Sequence, residues 1–322
     1  MFRPLVSILI PCFDAEQWIA QAIQSALEQT WPEKEVIVVD DGSSDRSLEI
    51  IQSFGSQVQW ETRINSGGNR ARNRLLDLSR GEWLQYLDAD DYLLPSKVEL
   101  QMDCVRQHPE ADLIFSEVMK DVLTANGQSE VKSNPIPDPF ADPWIALARW
   151  YLPQTGGQLW KRSSLIEVGG WNVDQPCCQE NELYGRLLAH NKKFVYCPSK
   201  GAVYREWHDN TVSRREPLRV FRERVKILRK AEAHLNKTGQ MTAPRRAALN
   251  QARFEIARVV WPMDRAMARE LHGIIRRATP HFTPESSTNP LYRITYRVLG
   301  FQLAEFIAGI LRCAKSLVSK RK

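Results

Sequence analysis

Three short apolar runs, each giving way to turn residues and then to a helical-period stretch, constrain this chain more than any other feature. Val6–Ile10 (VSILI), Glu35–Val39 (EVIVV) and Trp83–Leu87 (WLQYL) are nearly continuous in apolar residues. Strands read this way when both of their faces are covered, as in parallel sheets with helices on either side. Between the first two runs, Trp18, Ile19, Ala22, Ile23, Ala26 and Leu27 fall on one helical face, and Trp31-Pro32 ends that helix. After the second run comes Asp40-Asp41-Gly42-Ser43-Ser44, where Ser44 or Asp45 can cap a helix reaching about Ser53. Val58–Glu61 reads as a short strand, Gly67-Gly68 open a helix to about Leu78, and Leu113–Ser116 add a strand. The expected class is α/β, a Rossmann-like, mostly parallel sheet flanked by helices.

Residues 121–143, rich in Pro, Asn, Asp and Ser, read as a long loop or insertion. Gln158–Lys161 follows as a strand, Ser163–Val168 and Gln179–His190 as helices, and Phe194–Cys197 and Ala202–Arg205 as short strands. From about Pro217 the pattern turns helical, over Phe221–Leu235, Ala243–Val259, Met263–Arg277 and Tyr296–Val318. The expected division is an α/β domain over 1–215 and a helical extension over 216–322.

Charge follows the same division. Of 44 Lys/Arg and 38 Asp/Glu, residues 214–322 hold 24 and 8, and the rest of the chain 20 and 30. A basic tail on a neutral-to-acidic body suits contact with an anionic surface, nucleic acid or lipid headgroups. Cysteines 12, 104, 177, 178, 197 and 313 show no metal-binding spacing, and scattered thiols fit a reducing compartment. Met-Phe-Arg-Pro leads directly into a strand, which predicts no signal peptide. No run of about 18 uncharged apolar residues exists, which predicts no spanning helix.

In open α/β sheets, ligands bind beyond the carboxyl ends of the strands. Cys12–Asp14, Asp40–Ser43 and Asp88–Asp91 all follow such ends. Asp88 and Asp90 can direct hard carboxylate oxygens at one divalent cation, Mg²⁺ or Mn²⁺, of the kind that shares its site with phosphates. Gly67-Gly68 permit close backbone approach at a helix start, where free N–H groups favour anions, and Arg72 adds a fixed cation.

Four segments in order, Val6–Glu16, Val38–Asp45, Asn65–Asn73 and Gly81–Asp91, resemble the family 2 glycosyltransferases of GT-A fold, over about residues 5–215. The resemblance implies inverting transfer of a sugar from a nucleotide diphosphate donor, UDP-linked, to an acceptor hydroxyl. In that reading Pro11, Phe13 and Asp14 form the first nucleotide motif, with Asp14 where Asn is commoner. Phe13 stacks on the base, Asp41 accepts from the uracil or ribose, and Gly67 and Arg72 meet the diphosphate. Asp90 holds the cation, with Asp88 nearer the ribose or a bound water and His208 completing the site. Glu180 aligns with the family's general base, one methylene longer than the usual Asp, and Glu182 is its competitor. Arg205 is open to a diphosphate contact or to a neighbouring acid; Trp160, Trp171 and Trp207 are open to sugar stacking or to the core.

Leu299, Leu303, Phe306, Ile310 and Leu317 recur at helical spacing among Arg312, Lys315 and Lys320-Arg321-Lys322. This suits a helix on an anionic membrane, or one docked on protein. The partners expected are therefore a nucleotide-sugar donor, a glycan or lipid-linked acceptor and an anionic membrane surface, with no nucleic acid. The expected location is cytoplasmic, peripheral on the inner face of the membrane. Two other readings stay open: a non-catalytic glycan- or membrane-binding derivative, and a nucleotidyltransferase, which would want a Gly-rich signature with a Lys after the first strand.

Overall fold

The structure, a computed structural model, describes residues 3–124, 126–207, 216–285 and 288–319, with side chains to Arg312. Two compact units divide it, residues 1–215 and 216–322.

The first unit is built on one sheet. Strands β1 (Val6–Cys12), β2 (Lys34–Asp40), β3 (Gln59–Thr62) and β4 (Trp83–Tyr86) lie in the order β3-β2-β1-β4, all parallel. The register sets Cys12 beside Asp40 and Leu9 beside Tyr86, so the polar segments after β1, β2 and β4 share one edge. Helices α1 (Ile19–Leu27), α2 (Ser47–Ser53) and α3 (Gly68–Leu78) make the crossovers. Ile8, Ile10, Ile37, Val38 and Val39 have no exposed surface, as two covered faces require.

Beyond β4 the sheet becomes mixed. After β5 (Tyr92–Leu93) and α4 (Lys97–Gln107) come β6 (Leu113–Leu123), β7 (Ser129–Asn134), α5 (Pro143–Arg149), β8 (Gln158–Lys161), α6 (Arg162–Glu167), α7 (Gln179–Ala189) and β9 (Phe194–Arg205). The order continues β4-β8-β6-β9-β5, with β8 antiparallel to both neighbours and only β6–β9 parallel. The expected parallel character thus belongs to the half that begins the chain. Two local expectations are corrected. The segment read as a loop from 121 contains β7, which pairs with the extended end of β6. Its exposed, charged Ser-Glu-Val-Lys-Ser-Asn sequence buries no face and so carries no apolar signal. The two short strands after 194 are one strand, β9, carrying a register shift against β6 near Glu117.

The second unit contains α8 (Pro217–Lys237), α9 (Ala243–Val260), α10 (Arg265–Ala278) and α11 (Pro290–Ser319). Its core gathers Phe254, Phe282, Tyr292, Tyr296 and Phe301 in edge-to-face and tilted contacts. Glu305 of α11, with no exposed surface, bonds Arg258 of α9 at 2.8 Å and Arg312 at 3.3 Å. The opposite face of α11 exposes Leu291, Ile294, Val298, Leu303, Phe306 and Ile310. Gly300 interrupts the helix with φ 77° and ψ 176°. The expectation that no segment is long and apolar enough to span a membrane is corrected: Pro290–Arg312 qualifies by length and composition, with mean hydropathy 1.3. Arg297 and Glu305 interrupt the sequence run without outweighing its apolar content.

Candidate active site

A cavity of about 560 Å³ opens at the carboxyl ends of β1, β2 and β4, and Pro11, Phe13, Asp14, Asp41, Gly67, Arg72, Asp88 and Asp90 all line it. Residues separated by up to eighty positions meet there because the parallel register brings three strand ends to one edge.

Each wall has a local reason. Asp14 sits at φ 45°, a left-handed conformation that Asp and Asn tolerate better than most residues. Its Oδ1 accepts from the Ser44 backbone N–H at 2.7 Å, and its own N–H donates to Ser43 Oγ at 3.0 Å. The carboxylate therefore braces the turn after β2, and Phe13 is left half exposed at the rim. Asp41 is buried and accepts from the Gly67 N–H at 2.7 Å and from Ser66 N–H and Oγ at 3.2 and 3.1 Å. Gly42, at φ 78°, lies where a Cβ would come within 2.8 Å of the Asn65 backbone nitrogen. The turn after β2 and the loop before α3 are thus locked together.

Arg72, on the first turns of α3, is buried and extends Nη2 to Asp88 Oδ1 at 2.7 Å, with its guanidinium 5.2 Å from the Trp171 ring centre. Burial works against its charge, but Asp88 and then Glu180 prevail and hold its pKa above the ordinary value. Asp90 stands at the mouth of the cavity. Desolvation in the cleft and the neighbouring Asp88 push its carboxyl above the usual range. Crowded carboxylates of this sort, hard oxygen donors with few rivals, fit a cation that takes its remaining ligands from water and phosphate. Among the described residues no group of three or more His, Cys, Asp or Glu is placed to hold a metal, so the protein's share would be Asp90 with Asp88. His208 lies outside the described residues.

Arg205 clarifies the arrangement. Its guanidinium lies within 4.9–5.4 Å of the ring centres of Trp18, Tyr92 and Trp207, and Nη1 donates to the Asp90 carbonyl at 2.6 Å. Its own backbone N–H donates to Asp91 at 2.9 Å. Arg205 holds the main chain that carries Asp90, as a partner of neighbouring acids and rings.

A second set of residues approaches from the other half of the sheet. Asn73 of α3 clasps the Trp171 backbone, donating to its carbonyl at 2.8 Å and accepting from its N–H at 2.7 Å. Asn69 donates to the Asn172 and Gln175 carbonyls at 2.8 and 3.0 Å. Gly170, at φ 67°, is needed because a Cβ there would meet Asn73 Oδ1 at 2.6 Å. These bonds fix the segment leading to α7, whose second residue is Glu180. Glu180 accepts from Thr155 Oγ1 at 2.5 Å. Burial and then Asp88 lift its pKa, against Arg72 and the Thr155 bond. Glu182, one helical offset away, is buried and paired with Arg186 at 2.9 Å, and Arg186 also donates to the Val168 carbonyl. Glu180 lies close enough to Arg72 and Asp88 to feel their charge.

Trp160 and Trp171 are core residues, almost without exposed surface, so neither is available to stack on a sugar. Trp207 packs edge-on against Trp18 and donates to Asp121 at 3.1 Å. Glu180 also lines a separate cleft of about 420 Å³ with Asn181, Trp150, Tyr151 and Arg149. Sequence reading missed Thr155, Asn181 and Trp150, none of which carries a motif or an apolar period of its own.

Comparison with known proteins bears on the family match and the fold. Residues 7–134 match the glycosyl transferase family 2 model. The chain is 35% identical over 113 residues to an uncharacterized glycosyltransferase of Rickettsia typhi, covering 35% of this chain and 36% of that one. It is 39% identical over 107 residues to the chondroitin synthase of Escherichia coli, covering 32% and 16%. It is 33% identical over 107 residues to the putative teichuronic acid biosynthesis glycosyltransferase TuaG of Bacillus subtilis, covering 32% and 42%. The matched stretch is thus less than half the length of each of these relatives. Among solved structures, S. aureus TarS 1–349 superposes with TM-score 0.63 at 16% identity, over 86% of this chain and 81% of that one. The mannosyltransferase PcManGT of Pyrobaculum calidifontis gives 0.50 at 15%, over 97% and 87%. Residues 7–134 thus match glycosyl transferase family 2, and the fold that carries them is GT-A-like.

Proposed function

We propose that the first unit is an inverting, cation-dependent glycosyltransferase that moves a sugar from a UDP-sugar to an acceptor hydroxyl in the synthesis of a cell-surface polysaccharide or glycolipid. The observation that carries this reading is convergence: eight motif residues line one cavity, and a carboxylate of raised pKa stands beside it. TarS has been solved with UDP and with UDP-GlcNAc, and PcManGT with GDP-Man and Mn²⁺, which supports a nucleotide-sugar donor and a divalent cation here.

In this reading Phe13 and Asp41 border the nucleoside, and the N-terminal turn of α3 behind Gly67 faces the diphosphate with free N–H groups. Arg72 adds a fixed positive charge there. Asp90, with Asp88, would hold Mg²⁺ or Mn²⁺, which neutralises charge developing on the departing diphosphate. Glu180 takes the acceptor's proton as its hydroxyl oxygen attacks the anomeric carbon from the face opposite the leaving group. A base with pKa nearer the working pH serves this role best, and burial moves Glu180 in that direction. Glu182, already neutralised by Arg186, is the weaker choice. The exposed apolar face of α11, with the surrounding Arg and Lys, is read as a peripheral contact with the anionic cytoplasmic face of a membrane.

Donor hydrolysis and sugar transfer with Mn²⁺ and a panel of nucleotide sugars test the proposal. Glu180→Gln should lose transfer by about 10²–10⁴-fold, the usual worth of a general base. Asp90→Asn should lose both activities at the Mn²⁺ concentration that saturates the wild type. Full transfer by Glu180→Gln, with loss in Glu182→Gln, would reassign the base. A wild-type chain that neither hydrolyses nor transfers any nucleotide sugar would favour the non-catalytic derivative.

A further inference from the structure

The cleft on the far side of Glu180 is built differently from the nucleotide cavity. Its volume is about 420 Å³, and Trp150, Tyr151, Arg149, Lys120 and Asn181 line it with Glu180 at one end. Three observations give it a chemistry.

The first is Trp150. It closes α5 in the left-handed conformation, φ 62° and ψ 36°. Glycine is the usual residue at such a helix end, because a Cβ there costs roughly 1–2 kcal/mol. This chain spends a tryptophan instead, half-exposed on the cleft wall beside Tyr151. Strain of this kind concentrates where a side chain is needed for binding. Flat aromatic surface suits the apolar face of a pyranose ring. The second is Asn181. It is buried, lines the cleft next to Glu180, and its Oδ1 meets no hydrogen-bond donor. A buried amide oxygen without a partner is costly, and a sugar hydroxyl would satisfy it. The third is charge. Arg149 and Lys120 both line the cleft, Lys120 in loose contact with Glu206 at 3.5 Å. The one carboxylate among the lining residues is Glu180.

We infer that this cleft is the acceptor site and that it takes the terminal sugar of an anionic glycan. The ring lies against Trp150 and Tyr151, one hydroxyl donates to Asn181 and another faces Glu180. The acidic substituent, a carboxylate or a phosphodiester, meets Arg149 and Lys120. The inference rests on the transferase reading above, because it assigns Glu180 the task of deprotonating what binds here.

Calorimetric titration of the full chain, with UDP and Mn²⁺ present, tests it independently of turnover. The probes are a glucuronate-containing tetrasaccharide, its carboxyl-reduced neutral form and a glycerol-phosphate oligomer. Either anionic probe should bind about tenfold more tightly than the neutral one, and whichever does so identifies the acid. Trp150→Gly should weaken binding about tenfold while Trp150→Phe retains it. The glycine suits the local backbone, so the folded state should survive. Arg149→Gln should abolish the preference for the anionic probe and leave neutral binding in place. Equal affinity for acidic and neutral probes, or undiminished binding by Trp150→Gly, overturns the inference. Absence of donor hydrolysis together with anionic-glycan binding would overturn the transferase reading instead.

Discussion

At Glu180 two influences oppose each other, and their balance is measurable. Burial and Asp88 raise its pKa, while Arg72 and the Thr155 hydroxyl lower it. As the proposed base, Glu180 must be ionised to act, so transfer should be lost as pH falls through the raised value. The acidic limb of the kcat profile should therefore lie above the ordinary glutamate range of about 4.3. Thr155→Val removes a bond to the ionised form without changing side-chain shape. It should move that limb to higher pH and lower kcat at pH 6 more than at pH 8, with little change in the donor KM. A profile that does not move would remove Thr155 from any role in setting the base. Thr155 also shows what a sequence conceals. Its bond to Glu180 spans 25 positions, and nothing in a Gln-Thr-Gly-Gly segment announces it. Asp41, Arg72, Asp88 and Asp90 were legible because each follows a strand end or opens a helix, and the parallel register then forces them together. Trp160 and Trp171 were not, since a large aromatic reads the same in a core as at a binding surface.

Among the elements, α3 is the hinge of the arrangement in a structural sense. One end faces the cavity through Gly67, its middle carries Arg72, and Asn69 and Asn73 bind the loop that leads to α7. Asn73→Ala would break two bonds to the Trp171 backbone and leave that backbone without partners. The expected cost is about 2–3 kcal/mol, read as a shift in the denaturation midpoint. Transfer should fall further than stability alone accounts for, because Glu180 is carried by the loop released. Gly42→Ala offers a sharper test of the turn after β2. It combines a positive φ with a 2.8 Å approach to backbone, and should cost more than about 1 kcal/mol. Element types were clearest where the apolar signal was strong. The exposed β7 was invisible for the opposite reason, since its residues bury nothing and pair only through backbone.

For the whole molecule, the uneven charge is the main property. A basic second unit that presents an apolar helix face should bind vesicles containing anionic lipid and release them as salt rises, because surface attraction is screened over a Debye length of about 8–10 Å. Phe306→Glu with Leu303→Glu should abolish co-sedimentation and leave soluble-acceptor transfer intact. Unaltered lipid binding would assign the basic residues alone as the contact.

Gly300 gives that contact a limit of reach. Read straight through, Pro290–Arg312 has the composition of a span, but the backbone leaves the helical conformation at Gly300. The piece before the break is ten residues, about 15 Å, against a hydrocarbon core of about 30 Å; the nineteen from Phe301 to Ser319 give about 28 Å but include Glu305, Arg312 and Lys315. The first piece is too short to cross, and in the second Glu305 is already engaged with Arg258 inside the unit. A helix broken there can rest along a bilayer and lift off again. On the membrane reading proposed above, attachment is an equilibrium set by lipid charge and ionic strength, so the share of molecules at a bilayer would change without any change in the cavity of the first unit.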